Sequence, residues 1–226
     1  MEKIKENEWL NKLNHSCAHL LAQAVKHLYP NAKFWVGPVI DEGFYYDIDL
    51  GYVVIKEEDL EKIEKEMKKC SKDAKKIVRH EISKQEALEM FQNDPYKMDL
   101  IERMDEEENN ISCYTQGDFT DLCRGPHVEN TKELKYFKLL KVSGAYWKGD
   151  SKNKMLQRIY GVCFDNENDL EEYLKQLEEA RQRDHRKIGK DLEIFMSHDL
   201  VGKGMPLWLP NGAVIRKQLE NYIYEK

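Results

Sequence analysis

Two histidines stand four residues apart in His15-Ser16-Cys17-Ala18-His19. On a helix that spacing puts both imidazoles on one face, a turn apart, where they can share a metal ion or a water. Histidine pairs at this spacing are also ordinary packing residues, so the pair alone decides little. A second pair, Cys123 and His127, brackets Arg124-Gly125-Pro126. Gly-Pro forces a turn that folds the thiol and imidazole toward each other, and Asp121 lies two residues before the cysteine. Together His15, His19, Cys123 and His127 offer three nitrogens and one sulfur, a set that zinc accepts. A closed four-ligand shell would be structural. An open position, or a metal-free site with a histidine as base, would activate water instead. Lys97 is the remaining candidate. The first turn of a helix disfavours a cation, so a lysine there is either exposed or held in a pocket, where it can hold or polarise a water.

The elements that must place these groups are read from periodicity. Ala18, Leu21, Ala22, Val25 and Leu28 form an apolar stripe on a helix from about Trp9 to Tyr29, ended by Pro30-Asn31. Runs at 33–40 and 43–50 read as a hairpin joined by Asp41-Glu42. An amphipathic surface helix follows at 57–74, then a strand at 77–82. Ser83 and Glu86 make a capping box, and Asp94-Pro95 opens a short helix that carries Lys97 in its first turn. Further strands are expected at 111–116, 136–147 and 155–164, and one charged helix from Asp165-Asn166 to about Gly189. The tail at 191–226 has its own apolar residues and ends within a helix at 222–226. Helices and strands alternate without a βαβ rhythm, which predicts an α+β fold with an antiparallel sheet and packed helices.

The chain has 226 residues, 41% hydrophobic and 35% charged, enough for one large domain or two small ones. No run is long enough to span a membrane as a helix. Five cysteines, an odd and scattered set behind an N-terminus with no apolar leader, point to a reducing, cytosolic compartment. The net charge of −6 argues against a general polyanion coat. Yet the window 132–158 carries +6 and the window 180–190 carries +4, against an acidic run at Asp105-Glu106-Glu107-Glu108. Such a distribution could hold one nucleic acid along a stripe, or form a solvated charged face.

The segments His15-Ser16-Cys17-Ala18-His19-Leu20-Leu21-Ala22-Gln23-Ala24, Gly37-Pro38-Val39-Ile40-Asp41-Glu42-Gly43-Phe44-Tyr45-Tyr46-Asp47, Asp121-Leu122-Cys123-Arg124-Gly125-Pro126-His127 and Gly144-Ala145-Tyr146-Trp147-Lys148-Gly149-Asp150-Ser151 resemble bacterial-type threonyl-tRNA synthetases. Two later segments, at 154–161 and 183–190, extend the resemblance through nearly the whole chain. It implies an editing domain over 1–165, whose HxxxH and CxxxH pairs are shared with alanyl-tRNA editing proteins. It further implies a linker helix over 166–190 and, over 191–226, only the opening of a class II catalytic domain, up to Pro210-Asn211-Gly212-Ala213-Val214-Ile215-Arg216. The family's small N-terminal module, its later ATP motifs, its catalytic-domain zinc ligands and its anticodon-binding domain would be missing. The chain is therefore expected to be a fragment or a truncated gene product that makes no aminoacyl-adenylate, of a family expected to be homodimeric at full length.

The implied reaction is hydrolysis of the ester between serine and the terminal ribose of threonine tRNA. Serine lacks one methyl of threonine, which is worth only about 1–3 kcal/mol of discrimination in a binding pocket, so a second sieve is needed. By resemblance, His15 and Lys97 orient or activate water, while Asp121, Cys123, His19 and His127 shape the pocket and hold substrate. Tyr46, Gly37 and Arg124 contact the substrate, and the two basic windows meet tRNA phosphates. No cofactor is required for this hydrolysis. Zinc on His15, His19, Cys123 and His127 is the alternative, while ATP and a catalytic zinc belong to the absent domain. The competing functions are a non-catalytic module that binds the tRNA acceptor end and a structural zinc domain.

Overall fold

The computed structural model describes residues 3–104, 110–202 and 204–225. The acidic run at 105–108 and the terminal Lys226 lie outside the described residues.

Helix α1 (Glu8–Leu28) starts at Asn7, whose side chain accepts the Leu10 N–H. Glu8 in its first turn and Lys26 and His27 in its last complement the helix dipole. Every residue from Leu13 to Val25 is buried except His15, because other elements cover α1 on several sides. Strands β1 (Lys33–Phe34), β2 (Val39–Ile40) and β3 (Gly43–Asp49) follow, with β2 and β1 pairing antiparallel to opposite ends of β3. The hairpin is as expected, but its first arm is interrupted at 35–38. Pro38 has no N–H to give a ladder, and Gly37 lies so close to the Tyr46 ring that a Cβ there would meet Tyr46 Cδ2 at 2.5 Å.

Helix α2 (Leu60–Lys72), entered by a 3₁₀ turn at Glu57–Asp59, buries Leu60, Ile63, Met67 and Cys70 and packs on α1. Strand β4 (Ile77–Ile82) leads to α3 (Lys84–Met90), opened by both halves of the Ser83–Glu86 capping box. Helix α4 (Pro95–Glu102) has Pro95 in its first turn and is capped by Asp94. Strands β5 (Ile111–Gln116) and β6 (Phe119–Leu122) join β4 in a three-stranded antiparallel sheet. Strands β7 (Tyr136–Tyr146) and β8 (Met155–Phe164) complete the larger sheet, in the order β1-β3-β8-β7.

The main core lies between α1, α2 and the inner face of this sheet, where Leu13, Cys17, Leu21, Phe44, Ile48, Ile63, Met67 and Ile159 are essentially inaccessible. Each Leu or Ile buried in this way contributes about 1.5–3 kcal/mol. The Asn14 amide ties α1 to β8, donating to the Cys163 carbonyl at 2.8 Å and accepting the Cys163 N–H at 2.9 Å. A smaller core of Ala87, Ile101, Ile111 and Cys113 joins α3 and α4 to β5.

Helix α5 (Glu167–Gln182) and helix α6 (His185–Asp191) replace the single charged helix expected to Gly189. The break has a local cause: the Asp184 carboxylate accepts the Arg186 N–H at 2.8 Å and caps a new helix rather than continuing the old one. Strands β9 (Phe195–Met196) and β10 (Leu207–Trp208) pair, and α7 (Pro210–Tyr224) follows. The chain divides into two compact units, Met1–Leu170 and Glu171–Lys226. In the second unit only Gly189 and Gly212 are buried among the described residues. Among the described residues, no helix is long and apolar enough to cross a membrane.

Candidate active site

The α1 helix presents His15 and His19 side by side, with ring centroids 5.5 Å apart. The chain after β6 turns back through Gly125, at φ +72°, and a cis Gly125–Pro126 peptide. The turn carries both of its side chains to α1. Cys123 Sγ lies 3.1 Å from His15 Nε2 and 3.1 Å from His127 Nε2. One donor atom from each of His15, His19, Cys123 and His127 lies within 4.8 Å of the others. The two spacings read from the sequence therefore meet at one place.

Neighbouring oxygens fix which ring nitrogens face the thiol. The Ser16 hydroxyl donates to the Lys12 carbonyl at 2.9 Å and accepts the Val128 N–H at 3.0 Å. Its one proton is thus spent, so His127 Nδ1, at 3.1 Å, donates to it, and His127 Nε2 turns a lone pair toward Cys123. The His15 ring likewise donates to the Pro126 carbonyl, leaving Nε2 as acceptor. Burial dominates the electrostatics of the cluster. It lowers the pKa of His15, His19 and His127, so all three imidazoles are neutral at pH 7, and pushes the Cys123 thiol up to about 12. Ser16 is a site residue that neither spacing singles out. Its place between two histidines in the sequence is the only signal.

Beside this cluster sits a buried ion pair. Lys97 and Asp121 are in contact, with side chains only 4% and 2% exposed. Helix capping sets the lysine: Asp94 holds the first turn of α4 and accepts the Phe34 N–H at 2.9 Å, locking α4 to β1. Lys97 Nζ also donates to the Trp35 carbonyl at 3.0 Å and to the Tyr46 hydroxyl at 3.3 Å. Its three N–H donors are thereby engaged. The Tyr46 hydroxyl donates to Asp121 Oδ2, and the Leu122 N–H reaches Asp121 Oδ1 at 2.8 Å. His19 Nε2 stands 4.0 Å from Asp121 Oδ2 and so links the ion pair to the histidine cluster. Burial, followed by the Asp121 charge and hydrogen bond, raises the Tyr46 pKa well above its ordinary value, so Tyr46 stays a neutral donor.

A cavity of about 210 Å³ opens on these groups, lined by His15, His19, Trp35, Gly37, Tyr46, Lys97, Asp121 and Cys123 among others. Most of the residues expected at the site are therefore in one crevice, with His127 behind Cys123. Arg124 is the exception. It is exposed and lines a neighbouring cavity of about 370 Å³ that meets the first at Leu100, Leu122 and Cys123. Two buried nitrogens, His19 Nδ1 and Trp35 Nε1, have no protein partner. The donor set fits zinc: three imidazoles and a thiol converge, and His15 and His127 each give their other nitrogen to a protein oxygen, as metal-bound histidines do.

The fold also alters the expected basic stripe. Lys138 pairs with Glu64 at 3.0 Å, Lys148 with Asp99 at 2.7 Å, Lys154 with Asp49 at 2.6 Å and Arg158 with Asp47 at 2.7 Å. The local charge counted along the sequence is partly neutralised by carboxylates from other strands and helices.

Residues 111–160 match the family described as Threonyl and Alanyl tRNA synthetase second additional domain. The chain is 57% identical over 219 residues to a threonine–tRNA ligase of Staphylococcus epidermidis, covering 97% of this chain and 34% of the relative. It is 56% identical to the Staphylococcus carnosus enzyme of the same name over 220 residues, again 97% of this chain and 34% of the relative. The chain thus spans about a third of the length of these relatives. Nearly its whole length is similar to one stretch of the threonine–tRNA ligases, and residues 111–160 within it are similar to the second additional domain of the threonyl and alanyl tRNA synthetases.

Proposed function

We propose that this chain is the proofreading part of a threonine–tRNA ligase and hydrolyses the ester that joins serine to the terminal ribose of threonine tRNA. The observation that carries the reading is the convergence of His15, Cys123 and the buried Lys97–Asp121 pair on one cavity. Water attacks the ester carbonyl. Neutral His15 accepts the water proton, which passes to the departing ribose oxygen, and free serine and intact tRNA result. Lys97 is the nearest positive charge for the developing oxyanion. It meets that charge by giving up its longest contact, the 3.3 Å bond to Tyr46. Asp121 and the Trp35 carbonyl hold the ammonium in place, and Tyr46 acts as a positioning residue by donating to the Asp121 carboxylate. Gly37 lets the Tyr46 ring pack directly against the backbone, and a pocket walled by such packing admits serine while an added methyl must displace a wall.

Zinc bound by His15, His19, Cys123 and His127 would form a closed structural shell, or a Lewis acid for water if one ligand stayed off. The donor geometry supports a second reading on that ground, a zinc staple with no turnover. Loss of the fold on chelation would favour it. The tRNA acceptor end is the partner in the main reading, and residues 191–226 correspond to the opening of the class II domain.

His15→Ala and Lys97→Ala test the reading. With the fold verified by circular dichroism, each is expected to slow seryl-tRNA deacylation by about a hundredfold or more. Unchanged rates would remove both residues from the mechanism.

A further inference from the structure

A second cluster of metal-binding side chains lies outside the pocket. His27 is in the last turn of α1, and Glu66 and Cys70 stand one turn apart on α2. His27 Nδ1 lies 3.1 Å from Glu66 Oε1 and 3.6 Å from Cys70 Sγ. One donor atom from each of the three residues lies within 4.8 Å of the others. The opposite nitrogen, Nε2, is 2.9 Å and 3.0 Å from the two carboxylate oxygens of Asp118, in the turn between β5 and β6. Gln23 Nε2 donates to the same carboxylate at 2.9 Å and fixes its orientation.

This is the arrangement of a carboxylate–histidine–metal triad. Asp118 takes the Nε2–H, and the neutral ring then directs its Nδ1 lone pair at Glu66 and Cys70. A tetrahedral shell with Zn–N of about 2.0 Å and Zn–S of about 2.3 Å has N···S edges of roughly 3.5 Å and N···O edges of roughly 3.3 Å. The observed separations are close to those edges without movement of either helix. The His27 side chain is 31% exposed, so an ion can enter and keep a water as its fourth ligand, while Cys70 at 3% exposed is shielded from solvent.

We propose that His27, Glu66 and Cys70 form a second zinc site, with Asp118 orienting His27. Binding expels the Cys70 thiol proton to solvent, and the ion replaces it between α1 and α2. The site clamps the end of α1 to α2 and to the β5–β6 turn, and it does not depend on the hydrolytic reading of the pocket. The competing arrangement is a metal-free ion-pair staple, with protonated His27 between Glu66 and Asp118 and Lys69 at 2.7 Å from Glu66.

Cobalt(II) titration of the Cys123→Ser chain isolates the site, because the thiol of the first cluster is removed. The expected result is a thiolate-to-cobalt charge-transfer band that saturates at a single equivalent and is displaced by zinc. The band should vanish when Cys70→Ser is added. Asp118→Asn, which keeps the ligands, should weaken cobalt binding about 10–100-fold. His27→Gln, at a partly exposed ring, should weaken it at least as much, and it decides the matter if Cys70→Ser does not fold. No band in the Cys123→Ser chain, a band that survives Cys70→Ser, or an affinity unchanged in His27→Gln would each overturn the proposal in favour of the ion-pair staple.

Discussion

Asp121 brings both of its oxygens into the pocket, where it meets Lys97, the Tyr46 hydroxyl and the Leu122 N–H. A buried charge is tolerated only with such partners, and removing one partner of a buried pair typically costs about 3–5 kcal/mol. Lys97→Met and Asp121→Asn are therefore each expected to lower stability in urea denaturation. The double variant should lose less than the sum of the two, because it strands no charge. The histidines give a pH signature. Burial depresses the pKa of His15, His19 and His127 in the folded chain, while in the unfolded chain each titrates near 6.5. The unfolded state then binds more protons as the pH falls. Stability is full above the ordinary histidine pKa and is lost below it, by up to about 1.4 kcal/mol per pH unit for each histidine. The metal-free chain should show a falling denaturation midpoint between pH 7 and pH 5, and a flat midpoint would contradict neutral burial of the cluster. The residue types and spacings of this site were legible in the sequence. The burial of Lys97 was not, because its partners Tyr46 and Asp121 come from other strands, and an isolated first-turn lysine reads more readily as exposed.

At the scale of elements, the turn at 123–127 positions the thiol. Gly125 sits at φ +72° and against the Tyr114 hydroxyl, so a Cβ would meet both backbone strain and a side-chain clash. Gly125→Ala is expected to destabilise the chain by about 1–2 kcal/mol from the backbone alone, with more from Tyr114. It should also slow deacylation by moving Cys123 and His127 off α1. A denaturation midpoint and rate equal to those of the parent chain would show that the turn is not a constraint. The long helix α1, the Ser83–Glu86 capping box and strands β5, β7 and β8 were readable from period and capping residues alone. Strand β6, which carries Asp121, was missed. It has only four residues, Phe119–Leu122, and its sequence signal was the Gly117-Asp118 turn, while the alternate burial of Phe119 and Asp121 emerges only in the fold. The break between α5 and α6 was missed for a similar reason, since continuous charge hid a local cap at Asp184.

At the scale of the whole molecule, the two units differ in what they bury. The first has a large main core and a smaller second one. The second leaves large apolar side chains exposed, with Leu200 at 90%, Ile223 at 70% and Tyr224 at 87%. Exposed apolar surface of this kind drives association. Sedimentation of the full chain should therefore show concentration-dependent self-association, and a chain ending at Leu170 should lose it while keeping its unfolding midpoint. Association that persists after truncation would place the sticky surface on the first unit. Charge at this scale was only partly readable, because a count along 132–158 cannot reveal that Asp47, Asp49, Glu64 and Asp99 pair with half of its cations. The pocket itself is tested most directly by the deacylation rates of seryl- and threonyl-tRNA measured side by side on this chain. Rapid release of serine with threonine retained is the expected result, whereas equal rates, or no release of either amino acid by folded chain, would contradict a proofreading site.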